Sequence, residues 1–551
     1  MRPSDVLVIG GGGAGITAAI EAKEMDADVT LVSKSRIGYG NNTFISKAAI
    51  SSVIASPDAG DSSEAYVHDA TAAGRFINDP RLLQRVAQEG RSRIAFLEKR
   101  GVAFAQRHAA LGVSQAPGHS LPRTVRSENQ IGSDYCLPLR EYARKIGVRF
   151  VENVFITRIF TSKDRFAAAA GITARGKFLA FAARCCVLAT GGFAQLYLRN
   201  SNAARITGDG LVQAFELGIP LKDVEFVQFY PTATGPRGNR LLLYDAVVLR
   251  AGGVLRNATG EDIIAKHGPR DPLALTRDRL TRAIMQEILD GRDVQGGVIM
   301  DLSHVPEHYL APWLHLLPVN RTPSARKFIV SPTAHYCMGG IVTDSNCATR
   351  IPGLYAAGEA CAGVHGANRI AGNSLAEVFT MGGVAGRNAA SQAKALGPLD
   401  LPAKEIQTEK IRIESLRSKG HRPPREYRRT VKEIMWNRAG IIRDRRELEV
   451  GLEQIQELAA TLPRLRIDDG RELFKALELK NMLVLAEMVC RAALLRTESR
   501  GAHYRRDYPE EDNENWLKNI VIRKSGSGMR LQVVPVAFPG GEGPPDPSSG
   551  S

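Results

Sequence analysis

Apolar residues along this chain first gather in an unbroken run, residues 6–9 (VLVI), which ends at Gly10 and passes into Ala- and Ile-rich sequence, residues 14–21 (AGITAAIE). A short apolar run closed by glycine reads as a buried strand, and the Ala- and Ile-rich stretch after it has helix-forming composition. Residues 28–33 (DVTLVS) form a second apolar run, so the opening reads as strand, helix, strand. Two later stretches, 186–192 (CVLATGG) and 353–359 (GLYAAGE), are again strands feeding glycine turns. Three such edges suit a largely parallel sheet that lines an extended ligand. Between residue 232 and about 333, Pro, Gly and charged residues separate short apolar runs, and residues 275–289 carry the spacing of an amphipathic helix. Beyond about Ser391 the spacing is three and four, in residues 425–460 and 471–500, which predicts helices packed on the preceding domain. Residues 538–551, rich in Gly, Pro and Ser without aliphatic side chains, are expected to be disordered.

Within the first unit, Gly10, Gly12 and Gly15 form G-x-G-x-x-G, with Gly13 and Ala14 between them. The pattern is informative because it follows a strand and opens a helix. Its glycines permit a tight turn and a close backbone approach to a pyrophosphate, and the helix N-terminus offers free N–H groups and partial positive charge. A dinucleotide is expected here; a Gly-rich turn without a ligand is the plainer alternative. The second strand ends in Ser33 and Lys34 rather than the acidic residue of the usual nicotinamide fingerprint.

At 551 residues, with 44% hydrophobic and 24% charged side chains, the composition is globular and the length predicts about three or four domains. No apolar stretch has spanning length, and the first strand begins too early for a leader, so a cytoplasmic location is expected and any membrane association is indirect. Seven cysteines show no C-x-x-C pairing, so no metal site and no iron–sulfur cluster is expected in this chain. The charge of +15 favours anionic substrates or acidic partners; the excess is spread out and unaccompanied by a recognition motif, so nucleic acid is not expected.

Beyond the fingerprint, the chain carries Ser33-Lys34, residues 76–80 (FINDP), 118–120 (GHS), 189–192 (ATGG), 207–210 (TGDG) and 224–233 (VEFVQFYPTA). It continues with Arg277-Asp278, 334–341 (AHYCMGGI), 354–359 (LYAAGE), 365–377 (HGANRIAGNSLAE) and 496–505 (RTESRGAHYR). In this order they resemble the flavoprotein subunit of the succinate dehydrogenase and fumarate reductase family, which includes L-aspartate oxidase. The matches run from Val6 to about Leu517. The resemblance implies an α/β fold: a Rossmann-like FAD-binding domain in two parts (1–231 and 334–395), an inserted α+β capping domain (232–333), a C-terminal helical domain (396–517) and an extension (518–551). The capping domain of the family is mobile and closes over the flavin, which excludes water.

The resemblance also implies FAD, held by Gly10, Gly12, Gly13, Ala14, Gly15, Ser33, Lys34, Asn42, Thr43, Ala189, Thr190, Gly191 and Asp209. Glu359 is placed on its ribityl or ribose hydroxyls, and Asn373, Ser374 and Leu375 near the isoalloxazine. Arg369 and His335 match the residues that clamp one substrate carboxylate, and Arg277 matches the arginine that donates a proton. Read alone, Arg277 is equally a helix-surface cation and His335 a core imidazole, and Glu359 has a solvated loop carboxylate as its plain alternative.

This chain leaves the family pattern at several positions. Relatives with covalent flavin have histidine where Asn42 stands, so FAD is expected to be noncovalent. Lys47, Ala48 and Ala49 replace an acidic or amide residue and two glycines; Lys47 either stabilises reduced flavin or is solvated. Tyr230 stands where histidine meets the second carboxylate, and a phenol brings no charge at neutral pH. The family's acidic and basic relay members are missing from residues 242–253 (LLYDAVVLRAGG), unless Asp245 and Arg250 rebuild them in a shifted register. The expected function is interconversion of a saturated and an α,β-unsaturated carboxylate, with hydride transfer at flavin N5 and electrons exchanged with a separate iron–sulfur subunit. Fumarate and succinate stay open beside an acid with one carboxylate and a different distal group. So do L-aspartate oxidase-like amino-acid oxidation and a noncatalytic flavin relay.

Overall fold

The computed structural model describes residues 3–54, 60–107, 110–235, 238–241, 248, 251–268, 275–310 and 326–536. Its central sheet has seven strands. Arg149–Glu152, Val29–Ser33, Ser4–Ile9 and Phe178–Leu188 lie side by side and parallel, and Leu354–Ala356 joins the far half of Phe178–Leu188 in the same sense. Arg165–Thr173 and Val154–Ser162 extend the sheet antiparallel. Val6, Leu7, Val8, Val29, Leu31 and Val32 are all fully buried, the burial on both faces that a continuous apolar run requires. All three strand-to-glycine edges expected from the sequence therefore meet in one sheet.

The helix Gly13–Glu24 packs on the long helix Asn373–Ala395 through small residues. A Cβ on Gly382 would lie 2.7 Å from Ala14 O, and one on Gly386 2.3 Å from Ala18 O. Only glycine lets the two backbones approach so closely, and this contact fixes the segment at Asn373 against the fingerprint loop.

A second sheet has the order Arg240–Leu241, Val227–Thr234, Lys327–Cys337, Val298–Asp301, Val254–Arg256. Its strands and the helix Arg277–Leu289 enclose an apolar core of their own, including Leu255, Ile263, Leu280, Ile284, Met300 and Val330. The helix predicted at residue 275 starts two residues later, after Thr276 as its N-cap residue. Val227–Thr234 and Lys327–Cys337 run from this sheet back towards the flavin-side core, so the inserted region is joined to the rest by paired strands.

Helices Pro424–Arg438, Arg445–Ala460 and Gly470–Leu495 form the C-terminal bundle that the three- and four-residue spacing predicts. The motif at 496–505 anchors it: Arg496, Arg500 and Arg505 are fully buried. Arg496 Nε donates to Glu225 Oε1 at 2.8 Å and Arg500 Nε to Glu498 Oε1 at 2.7 Å. No element was expected after residue 517, yet Lys518–Ser525 and Gly528–Pro535 form a hairpin whose first strand pairs with Leu221–Lys222. The stretch expected to be disordered, 538–551, lies outside the described residues, as do Asp245 and Arg250. Among the described residues no helix is long and apolar enough to cross a membrane, and no group of three or more His, Cys, Asp or Glu side chains is arranged to hold a metal ion.

Candidate active site

The fingerprint loop opens on one long cavity, lined by Gly10 to Ala14, Ser33, Lys34, Asn42, Thr43, Ala189, Thr190 and Gly191. Gly10 has φ +126°, and a Cβ there would sit 2.0 Å from Ala189 O. Gly15 does not line the cavity; its Cβ would fall 1.8 Å from Gly10 O, so it serves close packing of helix on strand. The helix begins at Gly13 without a side-chain cap from Gly12 and without an acid in its first turn, and Gly13 N donates to Thr43 Oγ1 at 3.2 Å. The buried hydroxyl of Thr190 finds no partner among the described residues. A cradle without room for side chains, an uncapped helix start and an orphan hydroxyl fit a pyrophosphate-bearing cofactor.

Two residues expected at the cofactor are tied to each other. Lys34 Nζ donates to Asp209 Oδ2 at 2.5 Å and Thr207 Oγ1 at 2.7 Å, and lies 2.9 Å from Glu478. Its charge is thereby shared between Asp209 and the C-terminal bundle's Glu478, and its stem remains on the cavity wall. Asn42 is also fully bonded: Nδ2 donates to Asn202 Oδ1 at 2.7 Å and Glu359 Oε2 at 2.9 Å, while Oδ1 accepts from Ala203 N at 3.0 Å. Glu359 also accepts from Cys337 N at 3.2 Å, and burial pushes its carboxyl up to about 7. Ser374 and Leu375 line the cavity; Asn373 does not, and both polar atoms of its side chain are buried without a partner among the described residues.

At the other end the same cavity is bounded by Tyr230, Arg277, His335, Tyr336 and Arg369. His335 owes its position to a register shift: Gln228 faces Tyr336 and Phe229 faces Ala334, which leaves His335 as the extra residue of a bulge. A second shift follows between Tyr230 and Ala233. Ser201 Oγ lies 2.8 Å from His335 Nδ1, and the ring's pKa falls well below its usual value, first through burial and then through Arg369 and Arg277. Tyr230 sits between cations and imidazole, its ring 5.1 Å from the Arg277 guanidinium and 5.6 Å from the His335 ring. Arg369 is only 5% exposed and lies 4.9 Å over Tyr336. Burial, and then Arg277, bring its pKa down to about 9. Tyr336 in turn donates to Glu377 Oε2 at 2.7 Å, which lies 2.8 Å from His365 Nε2.

Lys47 also reaches the cavity, beside Arg126 Nη1, which donates to its carbonyl at 3.1 Å; burial and that neighbour lower the ammonium's pKa. Ala48 has φ 54°, in the left-handed region glycine prefers, and is held there by Tyr135 Oη on its carbonyl at 2.9 Å. Local sequence patterns give no sign of Ser201 and Gln228 as site residues, because Ser201 meets His335 and Gln228 meets Arg369 only through long-range pairings. Val248, from the segment without the family's acidic relay, is buried in the core that includes Tyr230.

A family model described as FAD binding domain matches residues 5–375, and one described as fumarate reductase flavoprotein C-term matches residues 428–546. The chain is 35% identical to a subunit of the CoM/CoB fumarate reductase of Methanothermobacter marburgensis over 534 residues, covering 94% of this chain and 97% of that one. The chain belongs to the fumarate reductase and succinate dehydrogenase flavoprotein family. It is an FAD-dependent oxidoreductase, and its cofactor is FAD. L-aspartate oxidase of Pyrococcus horikoshii is 32% identical, over 92% of this chain and 97% of that one. Among solved structures, the FrdA flavoprotein of E. coli quinol fumarate reductase superposes with a TM-score of 0.89 at 29% identity, covering 97% of each chain. The mixed α/β architecture with its C-terminal helical bundle is that of the family.

Proposed function

We propose that this chain interconverts a saturated carboxylic acid and its α,β-unsaturated counterpart. The observation that carries this reading is the convergence of Arg277, Arg369 and His335 on the cavity that holds the glycine cradle, with no ion-pair partner for either guanidinium among the described residues. A buried guanidinium and a half-buried one, neither in an ion pair among those residues, call for an anion as the missing partner. Bound FAD would supply hydride donation and acceptance at N5. Gly10 to Ala14 would hold its pyrophosphate, Glu359 its hydroxyls, and Ser374 and Leu375 its ring edge.

Arg369 would bind one carboxylate. Its Nη1 already donates to Ile370 O at 3.0 Å and Nη2 to Gln228 Oε1 at 2.9 Å, which leaves Nε and the remaining N–H groups for the acid. In the tautomer in which Ser201 donates to Nδ1, neutral His335 would carry its proton on Nε2 and donate it to the same carboxylate. Arg277 would deliver a proton to the carbon next to the reacting one, a role open to so weak an acid only against a strongly basic carbanion in a water-excluded site. Tyr230 adds a phenol and a ring where the family's pattern has a cationic donor, so an acid with one carboxylate and a less polar distal end is the preferred substrate. Electrons would pass to or from a separate iron–sulfur subunit, in keeping with the naming of the Methanothermobacter relative as one subunit of its reductase.

The test is anaerobic: holoprotein reduced with dithionite is mixed with fumarate, crotonate and acrylate, and flavin reoxidation is followed. At least one acid is expected to reoxidise it, the monocarboxylates faster than fumarate; reoxidation by none would overturn the reading. Asn42, an amide fully occupied by hydrogen bonds, also implies noncovalent FAD. Acid precipitation is expected to leave yellow flavin in the supernatant, and a yellow pellet would contradict this. A second reading, amino-acid oxidation to an imine, is favoured by the 32% identity to L-aspartate oxidase. It predicts bleaching of oxidised flavin by L-aspartate alone.

A further inference from the structure

The helix that presents Arg277 also carries Asp278, and a line of hydrogen bonds leads from that carboxylate to Arg369. Arg369 Nη2 donates to Gln228 Oε1 at 2.9 Å. Gln228 Nε2 donates to Asn368 Oδ1 at 2.7 Å and to Arg369 O at 2.8 Å. Asn368 Nδ2 donates to Asp278 Oδ1 at 3.1 Å. Gln228 is 1% exposed and Asp278 8%, with Asn368 between them half-buried, so water is excluded from both ends of this line.

The chemistry of the two ends dictates the middle. A guanidinium only donates and a carboxylate only accepts, so each residue between them must accept on one side and donate on the other. Primary amides do this, and both amide orientations are then fixed. A carboxylate at position 228 or 368 would set two acceptors face to face. Gln228 is the one side chain among the described residues that accepts from the Arg369 guanidinium, whose Nε is buried without a partner. The same helix is fastened beside Gln228 a second time, by Thr281 Oγ1 donating to Phe229 O at 3.2 Å. The second oxygen of Asp278 accepts from Arg282 Nη2 at 3.5 Å, and Arg282 stacks over Tyr504 at 4.7 Å.

We propose that Gln228 and Asn368 form a directed amide relay through which Asp278 sets the orientation of Arg369, so that one helix both presents Arg277 and prepares the carboxylate site. Asp278, Asn368 and Gln228 are positioning residues in this scheme. It rests on the reading of Arg369 as the carboxylate ligand.

Asn368→Asp reverses one link, because the new carboxylate accepts from Gln228 but cannot donate to Asp278. In the reoxidation assay, with fumarate and crotonate as probes, N368D is expected to raise KM by at least about tenfold, while FAD content stays that of the parent. Adding D278N restores a donor at position 278, and N368D/D278N is expected to return to within about threefold of D278N alone. A role in fold stability alone would not produce a KM effect reversed by exchanging acid and amide. If N368D fails to retain FAD, Asn368→Ser, too short to bridge Gln228 and Asp278, is expected to raise KM, while D278N, whose amide oxygen still accepts from Asn368, is expected to leave it near the parent value. An unchanged KM in N368D or N368S, or no recovery in N368D/D278N, overturns the relay. Arg369→Met separates the two claims: if it keeps the parent KM, the carboxylate reading fails; if it loses binding while N368D does not, the relay alone fails.

Discussion

Arg277→Gln is expected to lower the maximal rate of acid-dependent flavin reoxidation by about 10³-fold, within the range attributed to a positioned general acid, and to move KM far less. Arg277 is the first residue of the helix Arg277–Leu289, reaches the cavity wall, and lies over Tyr230 with its guanidinium 5.1 Å from the ring. Glutamine keeps a hydrogen-bond donor and comparable bulk but has no proton to give, so the variant isolates proton delivery from packing. The Tyr230 ring, 5.1 Å from the Arg277 guanidinium, supports the cation through its π face. Rapid reaction of reduced flavin with crotonate and fumarate, measured in a stopped-flow instrument, reads the step directly. An unaltered rate would remove Arg277 from the chemistry. With the proposed iron–sulfur subunit present, turnover unaffected by R277Q would favour the noncatalytic relay reading.

How much of this was legible in the sequence depends on the range of the interaction concerned. The strand Ser4–Ile9 and the helix Gly13–Glu24 follow from a local apolar run, a glycine pattern and good helix formers, and they lie where the pattern puts them. The helix predicted for 275–289 starts two residues later, at Arg277, because Thr276 is its extended N-cap residue. The hairpin at 518–535 was missed because its second strand alternates only between exposed and partly exposed positions, so its apolar signal is weak. Within the site, single residues were visible and their partners were not. Lys34 meets Asp209 and Glu478, and Asn42 meets Glu359, across separations of hundreds of residues that no periodicity encodes. The bulge at His335 and the amide line through Gln228 arise from strand register, which is set by tertiary packing.

Arg369→Met should separate stability from function in opposite directions. Arg369 is 5% exposed, has no ion pair among the described residues, donates to Ile370 O and Gln228 Oε1, lies over the Tyr336 ring, and leaves Nε unpartnered. Burial and the nearby Arg277 push its pKa down to about 9, against the opposing pull of Tyr336, Glu359 and Glu377. A carboxylate placed there supplies both the countercharge and the missing acceptor. Loss of the guanidinium is therefore expected to weaken fumarate and crotonate by about 10²- to 10³-fold, in line with removing one partner of a buried hydrogen-bonded charge pair. Methionine fills similar volume without a charge to desolvate, so the acid-free holoprotein is expected to melt at a higher temperature than the parent while its FAD content is unchanged. Saturating acid should stabilise the parent and leave R369M unmoved, because only the parent gains a ligand. A variant that both binds acid normally and melts lower would show that Arg369 serves the fold; a cation whose removal steadies the protein and empties the site is one kept for its ligand.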